Sequence, residues 1–210
     1  MRALAALQKG VRYRLKLFTA VAHSLESYGR MIENIKKGLS PFLCVGLSAI
    51  HKANFIYAAR QDLNTPLLLL TQDDLAAARL AADINAMAGT EDFALVFPSR
   101  DYSYRQMESV SGEYEQQRLG VLSRILQGEA PVVIASAQAA SSRTVRPEAL
   151  RQATFKVSTD PAVNEAGDMQ ALVARLAMAG YARRPQVDGV SQFAVRGGIL
   201  DLFPPGEPNP

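Results

Sequence analysis

The chain of 210 residues carries a formal net charge of +3, with 48% hydrophobic and 20% charged residues, as is typical of a globular protein. No apolar run approaches the roughly 20 residues of a membrane span and no signal-peptide pattern opens the chain, so we expect a cytoplasmic protein with no membrane partner. The single cysteine, Cys44, excludes an internal disulfide, and with two scattered histidines it predicts no metal site.

Positive charge is concentrated in residues 1–40, where eight Lys or Arg face two acidic residues. Apolar residues at helical spacing predict a long amphipathic helix over residues 11–36, broken near Gly29. We therefore assign residues 1–39 to a basic helical segment whose charged side chains form a solvated face. The alternative is a DNA-binding domain that uses this basic helix, since clustered positive charge favours contact with phosphates.

Residues 40–150 alternate between short apolar runs and amphipathic helices. The predicted strands are Phe42–Val45, Pro66–Leu70, Phe93–Phe97 and Pro131–Ala135. Helices are predicted at Ala49–Arg60, after Thr71, and up to about Gln127. Because these strands are apolar almost throughout, we expect a parallel sheet covered by helices on both faces.

Asp73 and Asp74 stand at the start of the helix after Thr71 and resemble a pair of catalytic carboxylates. Their position favours capping instead: Thr71 is predicted to cap the helix, with Asp74 at the capping-box position and Asp73 favourable to the helix dipole. Cys44 lies within an apolar run, which predicts a buried and unreactive thiol.

Residues 46–53 resemble a phosphate-binding loop that has lost its functional side chains. A P-loop reads G-x-x-x-x-G-K-[ST] between a strand and a helix. Gly46 and Lys52 occupy the first glycine and the lysine, whereas His51 replaces the second glycine and Ala53 replaces the magnesium-binding hydroxyl. The ring of His51 hinders the backbone from wrapping phosphates, and Ala53 cannot hold magnesium. The pattern therefore predicts a degenerate P-loop that does not bind nucleotide.

From about residue 151 the pattern changes to a mixture of strands and helix. We predict a strand at Ala153–Val157, a helix at Gly167–Ala179, and strands near Gln192–Arg196 and Gly198–Phe203. This order indicates a second, smaller α+β domain, which we expect to be truncated at residue 210. Gly197-Gly198 permits a bulge or a sharp bend between the last two strands.

Arg196 is the candidate recognition residue of this second domain. Strand alternation places Phe193 and Val195 on one face of the strand and Arg196 on the other. An arginine on a rigid sheet beside two glycines suits recognition of a carboxylate, because its guanidinium can donate two N–H groups at once. The alternative is an ordinary solvated arginine.

The segment SQFAVRGGILDLFPPGEPNP, residues 191–210, resembles the signature of the transcription-repair coupling factors (Mfd) and of their relative UvrB. Residues 179–193 resemble the lead-in to that signature, and residues 118–140 resemble a helix and strand shared with UvrB. The segment GLSAIHKA aligns with the UvrB P-loop, which is degenerate in Mfd. The resemblance covers about residues 40–210 and points to the N-terminal UvrB-homology module of that family.

This resemblance implies a degenerate RecA-like domain of the P-loop NTPase type over residues 40–150, followed by a partial UvrA-binding domain, like domain 2 of UvrB, over residues 151–210. It implies a non-catalytic module that recruits UvrA to lesions where RNA polymerase has stalled, in transcription-coupled nucleotide excision repair. Arg196 matches a family arginine that contributes to UvrA binding. RNA polymerase and double-stranded DNA would bind other domains of the parent protein, whose DNA translocase motor, with ATP and magnesium, would lie outside this chain.

A rival interpretation is an ATP-dependent DNA repair helicase of the UvrB type. His51 and Ala53 argue against it, because both replace residues that a nucleotide site requires. No cofactor is therefore expected for this chain. Residues 98–109 are too short for the β-hairpin with which UvrB contacts damaged DNA, so direct damage verification is not expected.

Overall fold

The computed structural model describes residues 18–100, 108–158, 160 and 164–205. Residues 18–23 are helical, and the helices that follow are α1 (Glu26–Lys36), α2 (Ala49–Leu63), α3 (Asp74–Ala88), α4 (Glu108–Gln127), α5 (Ala137–Ser141), α6 (Pro147–Ala153) and α7 (Met169–Met178). The strands are β1 (Leu67–Thr71), β2 (Ala94–Phe97), β3 (Val132–Ser136), β4 (Ala182–Arg183), β5 (Gln192–Arg196) and β6 (Ile199–Phe203). Predictions for residues 1–17, and for residues 101–107 of the polar loop, lie outside the described residues.

Contacts within the chain divide it into two compact units. The first unit comprises Met1–Ser99 and Gly128–Ser141, and the second comprises Arg100–Gln127 and Ser142–Pro210. Helix α4 thus belongs to the second unit, although the sequence interpretation grouped it with residues 40–150. The limits of the functional domains stay a prediction.

A parallel three-stranded sheet in the order β1-β3-β2 forms the centre of the first unit. Every residue of the central strand β3 is buried, which explains its almost uninterrupted apolar sequence. Helices α2 and α3 contribute to the core around this sheet, whose buried members are Ala53, Tyr57, Ala77, Ala81, Ile84, Met87, Ala94, Val132 and Ile134. The α/β class predicted from the sequence is confirmed for this unit.

The edge strand β1 is less covered than predicted. Leu67 and Leu69 pack against the core, but Leu68 and Leu70, which alternate with them, are exposed. The expected cover of helices on both faces of the sheet is therefore wrong at β1, because the helices bury only the side of the strand that carries Leu67 and Leu69.

The helical region before the first sheet breaks earlier than predicted. Leu25 adopts an extended conformation with φ −98° and ψ 117°, and the Ser24 hydroxyl donates to the carbonyl of the preceding turn at 2.8 Å. The break therefore lies at residues 24–25, and Gly29 lies inside α1. Tyr28 of α1 packs against α2, where its hydroxyl donates to Asp62 at 2.6 Å. Burial and this hydrogen bond raise the pKa of Tyr28.

The second unit contains a mixed sheet in the order β4-β5-β6, in which β4 and β5 are parallel and β5 and β6 are antiparallel. Helix α7 and the last two strands agree with the predicted positions. The predicted strand at Ala153–Val157 is wrong, because α6 extends to Ala153 and the chain beyond it pairs with no strand among the described residues. The backbone N–H and carbonyl of Lys156 bond instead to Glu165.

Candidate partner-binding hairpin and degenerate P-loop

The segment before Gly46 does not form the strand that a P-loop requires. Residues 42–45 pair with no strand in the described part of the chain, and Leu43 and Val45 are 85% and 78% exposed. Cys44 is exposed as well. The predictions of a buried strand and of a buried thiol are therefore wrong, because no neighbouring strand pairs with this apolar run and covers it.

The backbone between Gly46 and Lys52 is mostly helix rather than loop. Gly46 has a φ of +81°, which suits glycine, but α2 already begins at Ala49. The N–H group of Lys52 donates to the Ser48 carbonyl at 2.9 Å, so it is used within the helix. His51 is exposed, and its Nδ1 lies 3.1 Å from the Ser48 hydroxyl. Gly46, His51 and Lys52 therefore lie in one short segment, but this segment does not form the wide glycine-rich turn that wraps a phosphate.

Ala53 lies on the side of α2 that packs into the core. Its side chain is fully buried in the first core, together with Tyr57 and Ala77. A hydroxyl group at this position would enter the core instead of facing an open phosphate site. Lys52, one residue earlier in α2, is exposed. The RecA-like P-loop fold predicted for this unit is not confirmed, and the absence of nucleotide binding stays a prediction, which the burial of Ala53 supports.

A cleft of about 830 Å³ opens in the first unit beside Lys52. Residues of α1, α2, α3, β1 and the segment 42–47 line it, and most of its wall is apolar. Its charged residues are Lys52, Arg79 and Asp83. This wall offers isolated charges and apolar surface, whereas phosphate binding depends on converging backbone N–H groups.

Asp73 and Asp74 each bond to a different part of the first unit. Asp73 is the N-cap of α3, and its carboxylate accepts the Ala76 N–H at 2.7 Å. Asp74 accepts both the N–H and the hydroxyl of Ser99, at 2.8 and 2.7 Å. The capping role is confirmed for Asp73, whereas the prediction of Thr71 as the cap is wrong, because the N-cap position falls two residues later.

Strands β5 and β6 form a hairpin whose inner face is packed. The turn is Gly197-Gly198, and Gly197 adopts a φ of +61°, so the chain makes the sharp bend that the sequence allowed. Phe193 is buried with Leu172 and Leu176 of α7 in the core of the second unit. This packing holds β5 rigid against the helix.

Arg196 lies at the end of β5, on the face opposite Phe193, with 65% of its side chain exposed. Its Nη2 donates to Asp201 Oδ2 at 2.6 Å. An ion pair this exposed contributes only about 0–1 kcal/mol to stability. The structure places Arg196 on an accessible surface, and its role in partner binding remains a prediction.

Asp201 is the neighbour of Arg196 that reasoning from the sequence missed. The register pairs Ala194 with Asp201, which places Arg196 and Asp201 diagonally on the same face of the hairpin. The signal was present, because a two-residue turn at Gly197-Gly198 sets this register. Treating the glycine pair only as a bulge or bend left the register undefined.

Neither a metal site nor a membrane span is found in the described residues. No group of three or more His, Cys, Asp or Glu side chains there could hold a metal ion. Likewise, no helix within that part of the chain combines the length and the apolar character needed to cross a membrane.

Comparison with known proteins gives a family for the carboxyl-terminal part of the chain. Residues 162–210 match the family model described as the UvrB interaction domain. The chain is 26% identical over 185 residues to the transcription-repair-coupling factor of Bacillus subtilis (strain 168), a match covering 88% of this chain and 15% of that protein. It is 30% identical over 166 residues to the transcription-repair-coupling factor of Myxococcus xanthus, covering 76% of this chain and 14% of that protein.

The chain also resembles UvrABC system protein B of Pasteurella multocida (strain Pm70), with 26% identity over 187 residues, 83% of this chain and 27% of that protein. It therefore spans between 14% and 27% of the length of these relatives. The match to the UvrB interaction domain contains β5, the glycine turn and β6. These comparisons confirm the predicted resemblance: residues 162–210 match the UvrB interaction domain, and most of the chain is similar to transcription-repair-coupling factors and to UvrABC system protein B.

Proposed function

We propose that this chain is a non-catalytic interaction module of a bacterial transcription-repair coupling factor, and that it recruits UvrA to lesions where RNA polymerase has stalled. The observation that carries the proposal is the exposed Arg196 on a rigid hairpin within residues 162–210, the segment that matches the UvrB interaction domain. The relatives named as transcription-repair-coupling factors support the repair pathway.

The hairpin suits recognition by preorganisation. Its inner face is fixed by Phe193 in the core, so little backbone freedom is lost when a partner binds. Asp201 engages Arg196 through one guanidinium nitrogen, Nη2, which leaves Nε and Nη1 as possible donors to a carboxylate of UvrA. Arginine is enriched among the few interface residues that dominate the binding free energy. Replacing such a residue with alanine typically costs about 2 kcal/mol or more of binding free energy.

The first unit serves in this proposal as a scaffold derived from a RecA-like domain. The helical start of α2 at Ala49 and the buried Ala53 support the loss of nucleotide chemistry. ATP and magnesium would then act only in the motor of the parent protein, outside this chain, where RNA polymerase and double-stranded DNA would also bind. We further propose that the module acts in the cytoplasm, since its free cysteine, Cys44, is compatible with a reducing compartment.

The test is calorimetric titration of purified UvrA with the 210-residue chain and with its Arg196→Glu variant. We expect the reversed charge to weaken UvrA binding by more than about tenfold, because it places a carboxylate where a cation meets acidic groups. Arg143→Glu is the matched control, since Arg143 is also an exposed arginine of the second unit. Equal UvrA affinity of the Arg196 and Arg143 variants would contradict the role of Arg196, and micromolar binding of Mg-ATP would contradict the non-catalytic assignment.

A further inference from the structure

A second arginine belongs to the sheet that presents Arg196. Strand β4 runs parallel to β5, with Ala182 paired to Gln192 and Arg183 paired to Phe193. The N–H group of Arg184 donates to the Phe193 carbonyl at 2.8 Å, so the ladder continues one residue beyond β4. Arg183 and Arg184 are both exposed, and neither forms an ion pair within the described residues.

Alternation along these strands separates the two neighbouring arginines. Arg183 shares the side of its paired residue, Phe193, whereas Arg184 shares the side of Ala194 and Arg196. Asp201 is paired with Ala194 from the other neighbouring strand, so Arg184 and Asp201 flank Ala194 in one row across the sheet. Strands lie about 4.8 Å apart, which puts the two flanking residues about 10 Å apart at their backbones.

We propose that Arg184 and Arg196 together form a carboxylate-binding surface, and that Asp201 is the positioning residue that orients Arg196 within it. This inference rests on the proposed function and deepens it, because the acidic groups would belong to UvrA. A surface with two arginines can contact two carboxylates, or one carboxylate from two sides, with the geometric selectivity of the guanidinium.

The composition of this surface favours a protein partner over a nucleic acid. Asp201 lies on the same face, on the other side of β5 from Arg184, so these three side chains carry a net charge of only +1, whereas binding to a phosphate backbone depends on several cations. Ile199 stands opposite Arg196 at the turn and is 66% exposed. An exposed aliphatic side chain beside arginines is typical of the centre of a protein–protein interface.

The first experiment compares Arg184→Gln with Arg183→Gln in the full 210-residue chain. Both variants remove one positive charge from adjacent exposed positions, but only Arg184 shares the face of Arg196. Calorimetric titration with purified UvrA should show about a tenfold loss of affinity for Arg184→Gln. The loss for Arg183→Gln should be less than about twofold, as expected for a solvated charge outside the contact.

The second experiment tests the positioning role of Asp201 with a double-mutant cycle. Asp201→Ala removes the acceptor and should weaken UvrA binding about threefold when Arg196 is present, because the guanidinium loses its fixed orientation. In an Arg196→Ala background the same substitution should leave UvrA affinity unchanged. A merely structural role of Asp201 would weaken binding equally in both backgrounds, and that result would overturn the assignment of Asp201.

The outcomes separate this inference from the function on which it rests. If the unmodified chain binds UvrA and the Arg184 and Arg183 variants bind equally well, the two-arginine surface is wrong while the proposed function stands. If the unmodified chain does not bind UvrA, the proposed function fails and the inference fails with it. If Arg184→Gln instead weakens binding to a duplex DNA probe and leaves UvrA binding intact, the choice of a carboxylate partner is wrong.

Discussion

Restoring the two missing P-loop residues, His51→Gly together with Ala53→Thr, tests whether the first unit has lost its nucleotide site. Ala53 is fully buried beside Tyr57 and Ala77, so the added methyl and hydroxyl groups must enter a packed core. Overpacking of this kind costs about 1–3 kcal/mol of unfolding free energy. The hydroxyl can bond to the carbonyl four residues earlier in the helix, so an unpaired polar group adds little to this cost.

The glycine at position 51 adds a backbone cost of its own. His51 lies in the first turn of α2, where glycine is less favourable than other residues by about 0.5–1 kcal/mol. The contact between the His51 ring and the Ser48 hydroxyl is lost as well. We therefore expect the double variant to be about 2–4 kcal/mol less stable than the parent chain. Nucleotide binding should not return, because residues 49–52 remain part of the helix.

Urea unfolding followed by circular dichroism measures the stability, and calorimetric titration with Mg-ATP measures binding. Ala49→Thr is the matched control, because Ala49 is exposed at the start of the same helix and should change stability by less than about 0.5 kcal/mol. The reasoning is refuted if Ala53→Thr costs no more than Ala49→Thr. It is equally refuted if the double variant binds Mg-ATP with micromolar affinity.

Two further predictions concern the cores that position the surfaces. Phe193→Ala should destabilise the second unit by about 3–5 kcal/mol in urea unfolding, because Phe193 is buried in its core. The control Ile199→Ala replaces an exposed side chain and should change the stability by less than about 0.5 kcal/mol. Equal effects of the two substitutions would contradict the packing role of Phe193. The raised pKa of Tyr28 means that its phenol stays protonated in the folded state after it ionises in the unfolded chain. This contribution to stability is therefore full below about pH 10 and lost at higher pH, so Tyr28→Phe should lessen the fall in unfolding free energy between about pH 9 and 11. If the unfolding free energy of Tyr28→Phe falls as steeply with pH as that of the parent chain, the stabilising role of Tyr28 is contradicted.

Helices and buried strands could be predicted because their signals are local. The period of apolar residues located α2 and α7, and the apolar run of β3 matched a strand buried on both sides. The glycine pair predicted a bulge or bend between the last two strands, and the alternation of Phe193 and Arg196 predicted which face of β5 is accessible. Each of these features depends on residues close together in the sequence.

Two predicted strands are not formed, because a strand needs a neighbouring strand to pair with and the local sequence does not specify one. Residues 42–45 have the apolar composition of a strand, yet no neighbouring strand pairs with them in the described chain, and Leu43 and Val45 face solvent. Residues 153–157 begin inside α6, where Pro147 starts the helix, and Glu165 satisfies the backbone at Lys156. Strand formation is a property of a pair, so composition alone overpredicts it.

The register of the hairpin determines which charges the second unit presents. Side chains alternate along β5, so a shift of the register by one residue would turn Phe193 to the exposed face and Arg196 towards the core. Burial of Phe193 against α7 therefore fixes the face on which Arg196 lies, and the turn at Gly197-Gly198 fixes Asp201 as its neighbour. The same register that closes the core thus arranges the charged surface. For this reason a substitution in the core can abolish partner binding without touching the partner.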